Sequence, residues 1–170
     1  QSDVNYYNGD YISPPEKGLK AFSRNYTSTL FDKQGYEEGL HLSLFDGFEN
    51  TESYLNYMDA FFGSIDANDL LGMLNTWQMG DIGKHQKFNN NTKEALANIN
   101  CPALVMPSST DLSFPARNNI PEVNEMSEAE LVVINTKHGH LAGGMSTALT
   151  SQEDVTFIDK NIKEFLKKIA

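Results

Sequence analysis

CPALVMPSSTDLSFPARNNIPEVNEMSEAELVVINTKHGH, residues 101–140, is the stretch whose reading decides the fold. Ala103 to Met106 and Leu131 to Ile134 are short, unbroken apolar runs, the pattern of strands covered on both faces. A helix is expected after Pro115, between them. The order strand, helix, strand calls for a parallel pair joined by a crossover. The first strand leads to Asp111 and the second to His140. A carboxylate and an imidazole at consecutive strand ends are two of the three parts of a charge-relay site. Taken singly, Asp111 is an ordinary turn residue and His140 an ordinary loop histidine, so the pair carries the reading.

Working outward, the last helix is the clearest in the chain. Ser151 and Asp154 are spaced for a capping box, Phe157, Ile158, Ile162, Phe165, Leu166 and Ile169 make its inner face, and its lysines lie outside. Upstream, residues 1–13 read as an irregular arm with a turn at Asn8-Gly9-Asp10. A helix is expected from Ser13 as N-cap, with Pro14 in its first turn, Glu16 closing a box, and Leu19, Phe22, Tyr26 and Leu30 on one face. Residues 31–50 have no period. Thr51 can cap a helix carrying Tyr54, Met58 and Phe62, and Asp66 one carrying Leu70, Leu74 and Trp77. A short helix from Thr92 to Ile99 then leads into the first strand. The aromatic stripes admit two readings, packing faces or the lining of an apolar pocket, with packing the stronger.

Composition sets outer bounds. With 170 residues, 39% of them hydrophobic, the chain is long enough for a real core, and a net charge of −10 argues against nucleic-acid or anionic-membrane partners. The single cysteine, Cys101, excludes an internal disulfide and reads as a small core side chain. His138 and His140 form an H-x-H pair, but zinc needs a third ligand that the sequence does not place nearby, so no metal is expected. His41 and His85 lie in polar stretches and are expected to be solvated. Two parallel strands cannot stand as a sheet on their own, so the sheet is expected to be completed by another polypeptide or by a segment not in this chain.

A set of motifs, in order, sharpens this reading. Asp111-Leu112-Ser113-Phe114-Pro115 after one strand, Gly139-His140 after the next and a final amphipathic helix resemble the end of an α/β-hydrolase domain. Residues 3–11 (DVNYYNGDY), 14–19 (PPEKGL), 52–55 (ESYL) and 62–69 (FGSIDAND) resemble the homoserine O-acetyltransferase family within it. The resemblance implies an α/β fold: the C-terminal part of an α/β-hydrolase, with residues 1–91 as helical lid and 92–170 as the end of the core. It implies Asp111 as triad acid and His140 as triad base. The nucleophilic serine would lie on a G-x-S-x-G elbow, a motif this sequence does not contain, and the oxyanion hole would also lie outside it.

The resemblance further implies a serine-dependent esterase or O-acyltransferase working through an acyl-serine, on a small-molecule ester or acyl acceptor. No tightly bound cofactor is expected, with acetyl-CoA a candidate co-substrate. The N-terminal half of the fold is the expected partner, covalent or separate, a homodimer is a candidate assembly, and the cytoplasm is the expected compartment. One departure bears on substrate: the family's catalytic histidine is commonly followed by Asp, which helps hold the substrate's amino group, and here the next residue is Leu141. The alternative is a non-catalytic, truncated hydrolase fold serving in binding or assembly.

Overall fold

The computed structural model describes residues 1–45, 47–144 and 151–170. In chain order its elements are α1 (Glu16–Thr27), α2 (Lys33–Glu37), α3 (Thr51–Gly63), α4 (Ala67–Met79), α5 (Thr92–Ala97), β1 (Ala103–Val105), α6 (Ala116–Glu125), β2 (Ala129–Leu131) and α7 (Gln152–Ile169), with short 3-10 turns between. Residues Gln1–Ser28 and Gly47–Gly80 form one compact unit, and Thr29–Asp46 with Asp81–Ala170 form a second.

The first unit is helical. Asn50 caps α3, accepting from the Ser53 amide while the Ser53 hydroxyl accepts from the Asn50 amide, and Asp66 caps α4 through the amides of Asn68 and Asp69. The cap of α3 thus sits one residue before the expected Thr51, whereas Asp66 is where the sequence puts it. Phe22, Tyr26 and Phe62 meet as a ring cluster with centroids 5.2 to 5.7 Å apart, joining α1 to α3. Helix α1 begins at Glu16 behind Pro15 and has no side-chain cap, not the Ser13 box that was expected. A residue preceding a proline is kept out of helical geometry, so Pro14 cannot join the helix while Pro15 follows it. The N-terminal arm is irregular but tied down: Asp3 accepts from the Asn5 and Gly18 amides, and the Tyr11 hydroxyl donates to Asp66. Both readings of the aromatic stripes hold in part. Tyr54, Met58, Phe62 and Leu70 are buried, while Phe61, Met73 and Trp77 stay half exposed around an apolar cavity of about 290 Å³.

In the second unit β1 and β2 pair in parallel, Ala103 opposite Ala129 and Val105 opposite Leu131. The second strand starts two residues earlier than the apolar run Leu131 to Ile134 implies, and the first stops short of Met106. Pro107 has no N–H to give, so the ladder breaks there and resumes at an isolated bridge between Ser108 and Ile134. The Val132 amide donates to the Val105 carbonyl and the Ile134 amide to that of Pro107, which carries the pairing on toward the histidine loop.

Three side chains differ from expectation. Cys101 is exposed, because it precedes the first paired residue. His41 is buried against Tyr36, and burial pushes its imidazole below the ordinary histidine value. Leu30 does not extend the face of α1, which ends at Thr27; it is buried in the second unit beside fully buried Phe31. His85 is exposed, as expected. The strands are only partly buried, and Phe157, Ile162, Leu166 and Ile169 of α7 remain 37 to 52% exposed. No described helix is long and apolar enough to cross a membrane.

Arg24 of α1 grips Asp59 of α3 through Nε and Nη2, the latter at 2.7 Å, and this contact holds the carboxyl below its usual range. A carboxylate with a depressed folded pKa contributes stability above its unfolded value, about 3.9, and loses it as pH falls through the folded one. Asp59→Asn is therefore expected to lower Tm at neutral pH, with the gap to wild type closing as the pH is taken below about 4. Thermal melts followed by circular dichroism across that range test this; an equal gap in acid and at neutrality would deny the contact an ionic role.

Candidate active site

The site is built where the two strands run out. Asp111 lies six residues beyond β1, in a turn that it makes for itself: its Oδ1 accepts from the amides of Ser113, 2.7 Å, and Phe114, 2.9 Å. An aspartate folded back on its own backbone in this way is a common turn device. Here it also aims the second oxygen. Oδ2 lies 3.0 Å from His140 Nδ1, with the acid side chain 10% and the imidazole 22% exposed. The two candidate residues named from sequence are thus brought together. With Nδ1 engaged by the carboxylate, the imidazole is oriented by an acid on one side of its ring. The Phe114 ring tilts over the imidazole at 5.5 Å between centroids.

His140 is held from behind by the segment that begins at Leu30. Its amide donates to the Leu30 carbonyl at 2.8 Å. Gly139 makes that approach possible: it has φ +54°, and a Cβ there would lie 2.5 Å from the Leu30 carbonyl oxygen and 2.9 Å from Phe31 Cα. Gly35 allows a similar approach, since its missing Cβ would sit 2.6 Å from the Lys137 carbonyl oxygen. The Gly139 amide donates to Thr110 Oγ1, and Thr110 in turn donates to the Thr136 carbonyl at 2.8 Å, lacing the loop of Asp111 to that of His140. Thr110 and Thr136 had no sequence signal, and that of Leu30 pointed to the face of α1; Gly139, directly before the histidine, was the one clue to a tight approach.

His138 does not pair with His140 around a metal position. Its Nδ1 lies 3.0 Å from Thr136 Oγ1 and 3.3 Å from Asp154 Oδ2, so each histidine of the H-x-H pair has its own carboxylate. Among the described residues no group of three or more His, Cys, Asp or Glu side chains is placed to hold a metal ion. An open cavity of about 350 Å³ adjoins Asp111 and reaches Asp32, Thr110 and Arg117, but His140 does not line it.

No protein-family model matches the sequence. The chain is 31% identical over 170 residues to a probable esterase of Corynebacterium glutamicum, covering 98% of this chain and 46% of that protein. It is 28% identical over 125 residues to the ethyl acetate hydrolase of Pseudomonas veronii, and 26% over 166 residues to the homoserine O-succinyltransferase of Saccharophagus degradans. These matches cover 73% and 82% of this chain, and 35% and 41% of the relatives. The structure superposes with TM-score 0.80 at 29% identity on an acetylester hydrolase from Corynebacterium glutamicum, and with TM-score 0.83 at 25% identity on the acetyl esterase MekB. The chain is related to α/β-hydrolase esterases and homoserine O-acyltransferases. It has the fold of the C-terminal part of such a hydrolase, and it spans between about a third and a half of the length of these relatives.

In this hydrolase fold Gly139 tolerates nothing larger. Gly139→Ala combines a positive φ with a backbone clash, at a cost of about 1–3 kcal/mol. It is expected to lower Tm and to shift the ring resonances of His140; an alanine variant with wild-type Tm and unmoved resonances would overturn the assignment.

Proposed function

We propose that the chain supplies the acid and the base of a serine-type acyl-transfer site, Asp111 and His140, in an esterase acting on small esters. The observation that carries this is the 3.0 Å contact between Asp111 Oδ2 and His140 Nδ1, with the other carboxylate oxygen spent on two backbone amides. The carboxylate holds the imidazole in one tautomer and stabilises the imidazolium. His140 Nε2 then takes the proton of a serine hydroxyl as its oxygen adds to the ester carbonyl, and returns it to the departing alcohol. Water, activated by the same nitrogen, releases the acyl group.

The nucleophile and oxyanion hole lie, on this reading, in an N-terminal half of the fold outside these 170 residues, on the same polypeptide or a separate one. That half also completes the sheet and covers the α7 face. Residues 1–91 serve as the helical lid. Hydrolysis is favoured over transfer by Leu141: an isobutyl group next to the base cannot pair with the amino group of an amino-acid acceptor, and the relatives include an ethyl acetate hydrolase and an acetyl esterase. In a transferase, acetyl-CoA would be the acyl donor.

Three measurements on the intact protein test the proposal. Labelling by a serine-directed fluorophosphonate is expected and should be lost in His140→Ala; absence of labelling in the wild type would favour a non-catalytic binding or assembly role. Asp111→Asn is expected to lower kcat for short-chain acetyl ester hydrolysis on the order of 10³–10⁴-fold. Homoserine should not accept acetyl from acetyl-CoA, and turnover there would overturn the assignment to hydrolysis.

A further inference from the structure

Two residues before the base stands a second carboxylate and imidazole that the reaction does not use. Asp154, in the first turn of α7, is only 5% exposed, and its Oδ2 is 2.7 Å from Thr136 Oγ1 and 3.3 Å from His138 Nδ1. An ionised carboxylate only accepts, so the Thr136 hydroxyl gives its one proton to Asp154. Toward His138 Nδ1, 3.0 Å away, that hydroxyl has only lone pairs left, so Nδ1 carries a proton shared between Thr136 and Asp154. The His138 amide also donates to Thr136 Oγ1, at 3.1 Å. One hydroxyl thus holds both the backbone and the ring of His138.

The same threonine reaches the acid's loop. Its carbonyl accepts from Thr110 Oγ1 and from Ser109 Oγ, and its amide donates to Ser109 Oγ. Thr110 is the neighbour of Asp111 and takes the amide of Gly139, the neighbour of His140. The Thr136–Asp154 bond is buried, where a hydrogen bond is stronger than in water and a missing partner costs correspondingly more. The charge itself is well placed, at a helix N-terminus capped by Ser151.

We propose that Asp154 is a positioning residue: through Thr136 it sets the turn that carries His138 and His140, and so the angle at which the His140 imidazole faces both Asp111 and the serine. This rests on His140 being the base. Asp154 touches neither substrate nor reacting atoms; it acts through its contacts with Thr136 and His138.

The test compares wild type with Thr136→Val, which keeps shape and loses the hydroxyl, Thr136→Ser, which keeps the hydroxyl, and Asp154→Asn. Each is read in the intact protein by the ring resonances of ¹⁵N-labelled histidines and by steady-state hydrolysis of a short-chain acetyl ester. Thr136→Val and Asp154→Asn are expected to displace the ring signals of both His138 and His140. They should lower kcat about 10- to 100-fold with KM little changed, the scale of a misplaced catalytic group. Thr136→Ser should restore both readouts. A variant in which the His138 signals move while those of His140 and kcat stay at wild-type values overturns the proposal. Should the wild type hydrolyse no ester, the esterase reading fails, and the His140 ring signals alone decide this one. Should Thr136→Val and Asp154→Asn both fail to fold while Thr136→Ser folds, the network is a stability element and the proposal is overturned.

Discussion

The parallel pairing of β1 with β2 is the constraint on which the site depends. Neighbouring strands lie about 4.8 Å apart, so residues following the same ends of both strands are within reach of each other whatever the separation in sequence. Pro107 interrupts the ladder, and the bridge from Ser108 to Ile134 restores it one step before the loops diverge. Without that resumption Thr110 and Thr136 would not meet, and the carboxylate and imidazole beyond them would be carried by two independent loops. Asp111 and His140 are adjacent because the backbone registers were settled several residues earlier.

How much of this could be read from the sequence follows from which interactions are local. The pairing of Asp111 with His140 was legible because both residues are chemically distinctive and stand just past apolar runs. Asp66 was legible as a cap because a cap bonds to amides two and three residues on. Leu30 was not, since it continues the helical spacing of Leu19, Phe22 and Tyr26 although α1 ends at Thr27; only tertiary structure gives its carbonyl to His140. His41 read as solvated because its neighbours are polar, yet it packs against Tyr36. The start of β2 was misjudged because hydropathy marks Leu131 to Ile134, while pairing with Ala103 recruits Ala129 and Glu130. Asp154 was legible only as a capping residue: nothing in the spacing announces a bond to Thr136 across 18 positions.

The relatives span two chemistries, ester hydrolysis and acyl transfer to homoserine, on one architecture. The first step is common to both, and they part at the second, when either water or an acceptor meets the acyl group. On the reading proposed above, Leu141 beside His140 bears on that choice.

Helix α7 is fastened at both ends. Asp154 binds Thr136 near its beginning, and Lys168 reaches Glu130 of β2 at 2.6 Å near its end. The apolar stripe between these anchors is half bare, yet its direction is already set. Whatever surface comes to lie on it meets a face that need not first be oriented. The entropy of ordering has been spent within the chain before contact, so more of the gain from covering Phe157, Ile162, Leu166 and Ile169 is realised as binding.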